Sequence, residues 1–179
     1  MDNKIRKGVS MGFDGFPVPV SDTIVEYIQM QKVVESGKLR YNEPRQGEKL
    51  EVGLISTEDK YLKFVFSVFE ARRRSSVSID LTAERKTTLQ TRKDSIPLVR
   101  IDLDPNGEHT NPNGQKIKGS HLHIACEGHG HRWAVPLSDQ TIIEGIKTYD
   151  MPSEVFEPFK RFCGIEEGLM ITWTLGCEV

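Results

Sequence analysis

Residues 50–69 read LEVGLISTEDKYLKFVFSVF, and the spacing of the apolar side chains in them decides the class of fold. Leu50, Val52 and Leu54 recur at every second position, and beyond the polar stretch STEDK so do Leu62, Phe64, Phe66 and Val68. A period of two puts each set on one face of an extended strand, so the stretch predicts an antiparallel hairpin with one buried face. The pattern continues outward. Val77, Ile79 and Leu81 follow the turn ARRRSS, a polar strand is expected near 86–92, and Val99, Ile101 and Leu103 alternate with Arg100, Asp102 and Asp104. Strands in succession joined by short connections describe an antiparallel meander.

The flanks carry helical spacing. Ser21 can cap a helix running to about Ser36, with Ile24, Val25, Ile28 and later Val33 as an imperfect apolar stripe and Gly37 as its stop. Residues 104–119, DPNGEHTNPNGQKIKG, read as a long loop or a wide hairpin connection, and HLHIAC and HRWAVP read as two strands around EGHG. Ser138 can cap a helix bearing Ile142, Ile143, Ile146 and Tyr149. A second C-terminal helix is expected over 153–163, with Val155, Phe156, Phe159, Phe162 and Cys163 inward and Gly164 as its stop, and GLMITWTL reads as a last strand. The expected architecture is one α+β domain over 21–179: an antiparallel sheet of six to eight strands, an N-terminal helix and two C-terminal helices. Residues 1–20, rich in Gly and Pro, are expected to be a flexible N-terminal arm.

Composition narrows the function classes. With 24 Lys and Arg against 26 Asp and Glu, the formal charge of the 179 residues is −2, which argues against a wholesale polybasic nucleic-acid binder. The average hides segregation. Residues 71–100 hold eight basic side chains against three acids, a balance of +5, and residues 139–179 hold three against eight, a balance of −5. No apolar run is long enough for a membrane span or a signal peptide, so a cytosolic location is expected, with no membrane partner. Cys126, Cys163 and Cys177 lack CxxC spacing and read as core or near-core thiols.

All five histidines fall between positions 109 and 131. Alternation places His121 and His123 on one face of their strand, with Leu122, Ile124 and Cys126 on the other. If strand 98–104 is its neighbour, Arg100, Asp102 and Asp104 join the imidazoles on one polar face. His109, in the connecting loop, can fold back over that face, and Glu127 continues the alternation onto it. The hairpin register stays open: a two-residue turn brings Arg132 to the histidine face, whereas a three-residue turn centred on His129 brings His131 and Trp133.

Two chemistries suit such a face. Metal-independent phosphodiester cleavage, the favoured one, needs one imidazole as base, one as acid, and a cation such as Arg100 or Arg132 on the phosphate. A divalent metal held by His121 and His123 with Glu127, Asp102 or His109 is the other. A plain solvated face with His–Asp pairs across strands is the structural alternative. Arg72, Arg73, Arg74, Arg85, Lys86, Arg92 and Lys93 form a candidate RNA-binding surface if they gather on one side, or a charge-protected edge if they do not.

The string RIDLDPNGEHTNPNGQKIKGSHLHIACEGHGHRWAVPL, residues 100–137, resembles a family of small bacterial and prophage proteins with the pattern R-x-D-L, H-x-N-P-x-G, H-x-H-I, E-G-x-G and W-A-x-P-L. In size and general appearance the chain is similar to type II-A anti-CRISPR proteins, some of which shorten the guide RNA. That resemblance implies a phage-borne ribonuclease-like inhibitor acting on the guide RNA of a type II CRISPR effector, with His109, His121 and His123 as catalytic groups. HxHxxxE in the same strand is similar to the first cupin motif, which implies a metal on His121, His123 and Glu127; the glycine spacing departs from it and no later histidine completes a second motif. The strand is also similar to that of histidine-triad nucleotide hydrolases, but Ala125 stands where the third His would be. A non-enzymatic inhibitor docking through the acidic C-terminal surface, with Glu154, Glu157, Glu166 and Glu167, is a further alternative.

Overall fold

The 50–69 stretch folds as a hairpin whose strands, Lys49–Ser56 and Lys63–Glu70, set Val52 opposite Phe66 and Leu54 opposite Phe64. The computed structural model describes residues 13, 15–71, 86–146 and 151–174. In chain order the elements are α1 (Asp22–Gln29), β1 (Lys32–Val34), β2 (Arg40–Asn42), β3 (Lys49–Ser56), β4 (Lys63–Glu70), β5 (Thr87–Lys93) and β6 (Ile96–Leu103). There follow β7 (Glu108–Thr110), β8 (Lys116–Lys118), β9 (His121–Ile124), β10 (Ala134–Pro136), α2 (Pro152–Phe162) and β11 (Met170–Thr172). Seven strands form one antiparallel sheet in the order β1-β3-β4-β5-β6-β9-β10. Residues 77–81, read as a strand, lie outside the described residues, as do Tyr149 and Cys177.

One face of the sheet carries the core. Val52, Leu54, Phe64, Phe66, Val68, Leu89, Val99, Ile101, Leu122 and Ile124 are buried there. Both helices cover it: Tyr27 of α1 meets Phe64 edge-on, and Phe156 and Phe159 of α2 lie 5.6 and 6.0 Å from Phe66 between ring centroids. Burial of these large apolar side chains supplies the main stabilising term, about 25 cal/mol for each Å² removed from water. Phe13, Phe16 and Val20, within the segment read as an arm, also pack against this core.

Three local expectations are corrected. α1 ends at Gln29 and not near Ser36, because Val33 and Val34 are β-branched and residues 32–34 pair with 54–56 of β3. No helix follows Ser138 among the described residues: 137–146 run through turns and bends, with Ile143 N–H donating to the Gln140 side chain, so one C-terminal helix exists there and not two. The last strand leaves the main sheet and pairs in parallel with β2, Ile171 opposite Tyr41. Gly164 does stop α2, and for a steric reason. Its φ is +61°, and a Cβ there would lie 2.3 Å from the Met30 carbonyl oxygen.

Two buried lysines tie the helix ends together. Lys32 Nζ donates to the carbonyls of Ile28, Met30 and Cys163, at 3.1, 2.6 and 2.8 Å, so one ammonium serves the C-terminal ends of both helices. Lys160 Nζ donates to the carbonyls of Glu167 and Leu169 and to Glu157. Burial pulls the Lys32 pKa down to about 8, opposed by the Cys163 thiol beside it.

Candidate functional site

The face opposite the helices is polar, and the strand registers arrange it in rows. Lys49, Phe69, Thr88, Asp102, His121 and Pro136 lie opposite one another across β3, β4, β5, β6, β9 and β10. The adjacent row is Glu51, Ser67, Gln90, Arg100, His123 and Ala134. Side-chain alternation therefore puts Arg100, Asp102, His121 and His123 on one patch. His109 joins them from β7, in the loop region that here forms a small hairpin with β8.

This hairpin is held down by Asn111. Its carboxamide accepts from the Ala134 N–H at 2.8 Å and donates to the Ala134 carbonyl at 3.0 Å. The result is a packed imidazole cluster, His109 4.8 Å from His123 and 5.4 Å from His121, and those two 4.9 Å apart, between ring centroids. The cover also explains why all four residues of β9 are buried, where alternation alone predicts an exposed polar face.

Hydrogen-bond partners set the proton positions. A carbonyl only accepts, so the ring nitrogen facing it carries the hydrogen. His121 Nδ1 donates to the Gly119 carbonyl at 2.8 Å, His123 Nδ1 to the Trp133 carbonyl at 3.1 Å, and His109 Nε2 to the Arg132 carbonyl at 3.0 Å. A guanidinium only donates, so Arg100 Nη2, 2.9 Å from His123 Nε2, makes that nitrogen an acceptor and His123 a neutral ring. The same Nη2 lies 2.9 Å from Asp102 Oδ2. Asp102 Oδ1 accepts from the Thr88 hydroxyl, and its Oδ2 sits 3.5 and 3.4 Å from Nε2 of His121 and His123.

The electrostatics follow this geometry. Burial alone would raise the Asp102 pKa, but the hydrogen bond from His121, with the Arg100 guanidinium and the Thr88 hydroxyl, outweighs it and holds the carboxyl far below its ordinary range. Burial works against protonating His121, yet the Asp102 and Gly119 bonds prevail and its pKa is raised. For His123 burial prevails, reinforced by Arg100, and its pKa is lowered. His131 is pushed down to about 4 by burial, with Arg100 and His123 adding to the effect. Two neighbouring imidazoles are thus biased in opposite directions.

An open cleft of about 340 Å³ leads to the patch, walled by Lys86, Thr88, Arg100, Asp102, Asp104, Glu108, His109 and His121, with Phe69 at its flank. His123, fully buried, does not line it. The remaining expected site residues lie elsewhere. Glu127 falls past the end of β9 in an exposed turn, so strand alternation no longer governs it and it stands outside the cluster. Arg132 supplies its carbonyl to His109 while its exposed side chain donates to the His129 carbonyl. The hairpin register follows the two-residue option in its ladder but neither option at its tip, where the turn is centred on Gly128 and not on His129. Cys126 bridges Gly130 across a three-residue turn, yet Ala134 pairs with His123, the register of a two-residue turn, and residues 131–133 absorb the difference outside any strand. His131 Nε2 meets the Pro97 carbonyl.

Three residues of the candidate RNA-binding set, Lys86, Arg92 and Lys93, are among the described residues, and each pairs with an acid. Lys86 pairs with Asp104 at the cleft, Arg92 with Glu51, and Lys93 with Asp94 while lying over the Tyr27 ring of α1. Arg72, Arg73, Arg74 and Arg85 lie outside the described residues. Of the C-terminal acids, Glu166 accepts from the Val34 N–H and Glu157 pairs with Lys160, whereas Glu154 and Glu167 are exposed. Cys126 and Cys163 are buried free thiols.

Two residues of the site, Asn111 and Thr88, are not among those expected from the sequence. Asn111 stands in the H-x-N-P-x-G stretch two residues after His109, and that spacing is the one signal for it. Thr88 offers none, since its role depends on facing Asp102 across two strands. Among the described residues, no helix is long and apolar enough to cross a membrane. No curated protein and no solved structure gives a significant match. A family model described as a family of unknown function (DUF6978) matches residues 21–165, spanning α1, the whole sheet, the imidazole cluster and α2, and the chain belongs to that family.

Proposed function

We propose that the cleft is a phosphodiester-cleaving site acting on RNA. One observation carries the reading: His109, His121 and Arg100 open on the same cleft, with Asp102 behind them and Lys86 at the wall. Arg100 and Lys86 offer cationic donors to the non-bridging phosphate oxygens, where charge grows in the transition state. The imidazole cluster activates the attacking oxygen, and His121, whose protonated form Asp102 favours, supplies the proton for the leaving oxygen. Guide RNA of a type II CRISPR effector is the substrate that the sequence resemblance implies.

The test is incubation of labelled guide-type RNA, alone and bound to its effector, with the protein and with His109→Ala, His121→Ala and Arg100→Ala. Cleavage that falls by about 10²-fold or more in each variant is expected. If no RNA is cut in either state, the reading fails. Inhibition that survives the histidine substitutions but is lost on charge reversal at Glu154 and Glu167 would instead make the protein a docking inhibitor.

A further inference from the structure

The three imidazoles of the cluster are arranged in a way that proton transfer alone does not require. Each gives one ring N–H to a main-chain carbonyl, of Arg132, Gly119 and Trp133, and each carbonyl belongs to a different residue of the surrounding backbone. This leaves Nδ1 of His109 and Nε2 of His121 and His123 without an N–H bound to the backbone. One ring nitrogen from each histidine lies within 4.8 Å of those of the other two. A hydrogen bond from the second ring nitrogen to a carbonyl or carboxylate is the support that metal-bound histidines almost always have, because it fixes the tautomer and makes the ligating nitrogen more basic. His123, wholly buried and absent from the cleft wall, has no access to a substrate, yet its burial suits a ligand beneath an ion.

We propose that His109, His121 and His123 form a binding site for one divalent transition-metal ion, with zinc as the best chemical fit. Three imidazoles, His121 giving up on binding the Nε2 proton that Asp102 otherwise favours and with it the acid role, are borderline donors that match zinc and its first-row neighbours and match magnesium or calcium poorly. Three protein ligands with a fourth position open toward the cleft are the catalytic kind of zinc site, not the closed structural kind. Bonds of about 2.0–2.1 Å at tetrahedral angles put ligand nitrogens roughly 3.4 Å apart, so the cluster must contract on binding. His109 can supply that movement, because it rides on the two-stranded hairpin β7–β8 and not on the main sheet.

Arg100 decides what the site costs to fill. Its Nη2 donates to His123 Nε2 and to Asp102 Oδ2, so it holds the lone pair that the ion needs. Binding therefore breaks the Arg100–His123 bond while the Arg100–Asp102 pair can stay. Freed from His123, the guanidinium keeps its place on the cleft wall, next to where a phosphate oxygen would meet the ion. That last role for Arg100 rests on the proposed function, since only a phosphodiester substrate gives the arrangement a use; the metal site itself does not.

Chelator-stripped full-length protein should be titrated with zinc against a competing chromophoric chelator, and with cobalt(II) while following its visible absorption. One equivalent per chain is expected, with the intense absorption of four-coordinate cobalt, and His109→Ala and His121→Ala should each weaken binding at least tenfold. His109→Ala is the decisive variant, since its hairpin lies off the core and circular dichroism should show the fold intact. No saturable binding, or zinc affinity unchanged in folded His109→Ala, overturns the metal site. RNA cleavage that persists in excess chelator also overturns a catalytic ion while leaving the proposed function standing. Stoichiometric, histidine-dependent metal with no RNA cleavage does the reverse.

Discussion

The side chain of Asn111 is bonded to both backbone groups of Ala134, accepting from its N–H at 2.8 Å and donating to its carbonyl at 3.0 Å. A carboxamide thus continues the sheet where no further strand pairs among the described residues, and it fixes the hairpin bearing His109 above His121 and His123. Asn111→Ala leaves the N–H and carbonyl of Ala134 without that partner in a buried setting. A loss of about 2–3 kcal/mol is expected, on the usual cost of orphaned buried groups. Urea denaturation should show it. Activity in the RNA assay should fall further than the loss of stability alone explains, because His109 loses its placement.

At Gly164 the backbone itself is the constraint. With φ at +61°, a Cβ added here would lie 2.3 Å from the Met30 carbonyl oxygen and 2.8 Å from that of Gln29, so any side chain must push apart the end of α1 and the end of α2. Gly164→Ala is expected to destabilise by on the order of 2–4 kcal/mol, more than the strain of the positive φ alone. Thermal denaturation would read it, with Gly37→Ala as the comparison. Gly37 also has a positive φ, +70°, but nothing lies within 4 Å of its added Cβ, so its loss should be the smaller.

Lys32 and Cys163 make opposite contributions to the pH dependence of stability. The Lys32 pKa falls from 10.5 to about 8 on folding, so between those values the unfolded chain binds more protons and stability rises with pH. Burial pushes the Cys163 thiol from 9.0 up to about 12, so above pH 9 the folded chain keeps a proton that the unfolded chain loses, and stability falls. The wild type should gain stability from pH 8 to 9 and then level off. The stability of Cys163→Ala should itself go on rising up to about pH 10.5, where wild type has levelled off, and Lys32→Met should lack the rise. Urea midpoints at intervals of about half a pH unit would check both signs.

Arg100 bridges His123 and Asp102 through one nitrogen, and its buried Nε has no partner among the described residues. Lysine offers a charge but no planar fork, so it cannot hold both groups in the same geometry. Arg100→Lys is expected to lower RNA cleavage by about 10²-fold, with most of the loss in the turnover rate if the guanidinium acts on charge that appears only in the transition state. Steady-state rates over a range of RNA concentrations separate that outcome from weakened binding.

What is legible in the sequence follows from short-range physics. The period of two in 50–69 and 98–103 determines which side chains enter the core, because a strand turns each successive residue to the opposite face. That rule puts Arg100 with Asp102, and His121 with His123, on the polar faces of their strands and buries Leu122 and Ile124, while the pairing of β6 with β9 brings the two sets together. It runs out where a residue leaves the strand. Glu127 and Arg132 have the right parity, but both sit beyond the ladder, where parity has no meaning.

The rest depended on contacts between distant segments. Val33 continues the α1 stripe only imperfectly, five residues after Ile28, and pairing of residues 32–34 with β3 outweighs a last turn of α1, since strand hydrogen bonds and the Lys32 cage form only when the chain has folded. Ile142, Ile143 and Ile146 have helical spacing without a helix, because isolated short helices are marginal in water and residues 137–146 settle into turns instead. Proton placement in the imidazole cluster is set by the carbonyls of Gly119, Arg132 and Trp133, which composition cannot show. The sequence by itself determined a β-rich domain with a polar, histidine-bearing sheet face. Tertiary structure alone decided that three of those histidines converge, since convergence needs the hairpin folded back and Asn111 anchored on Ala134.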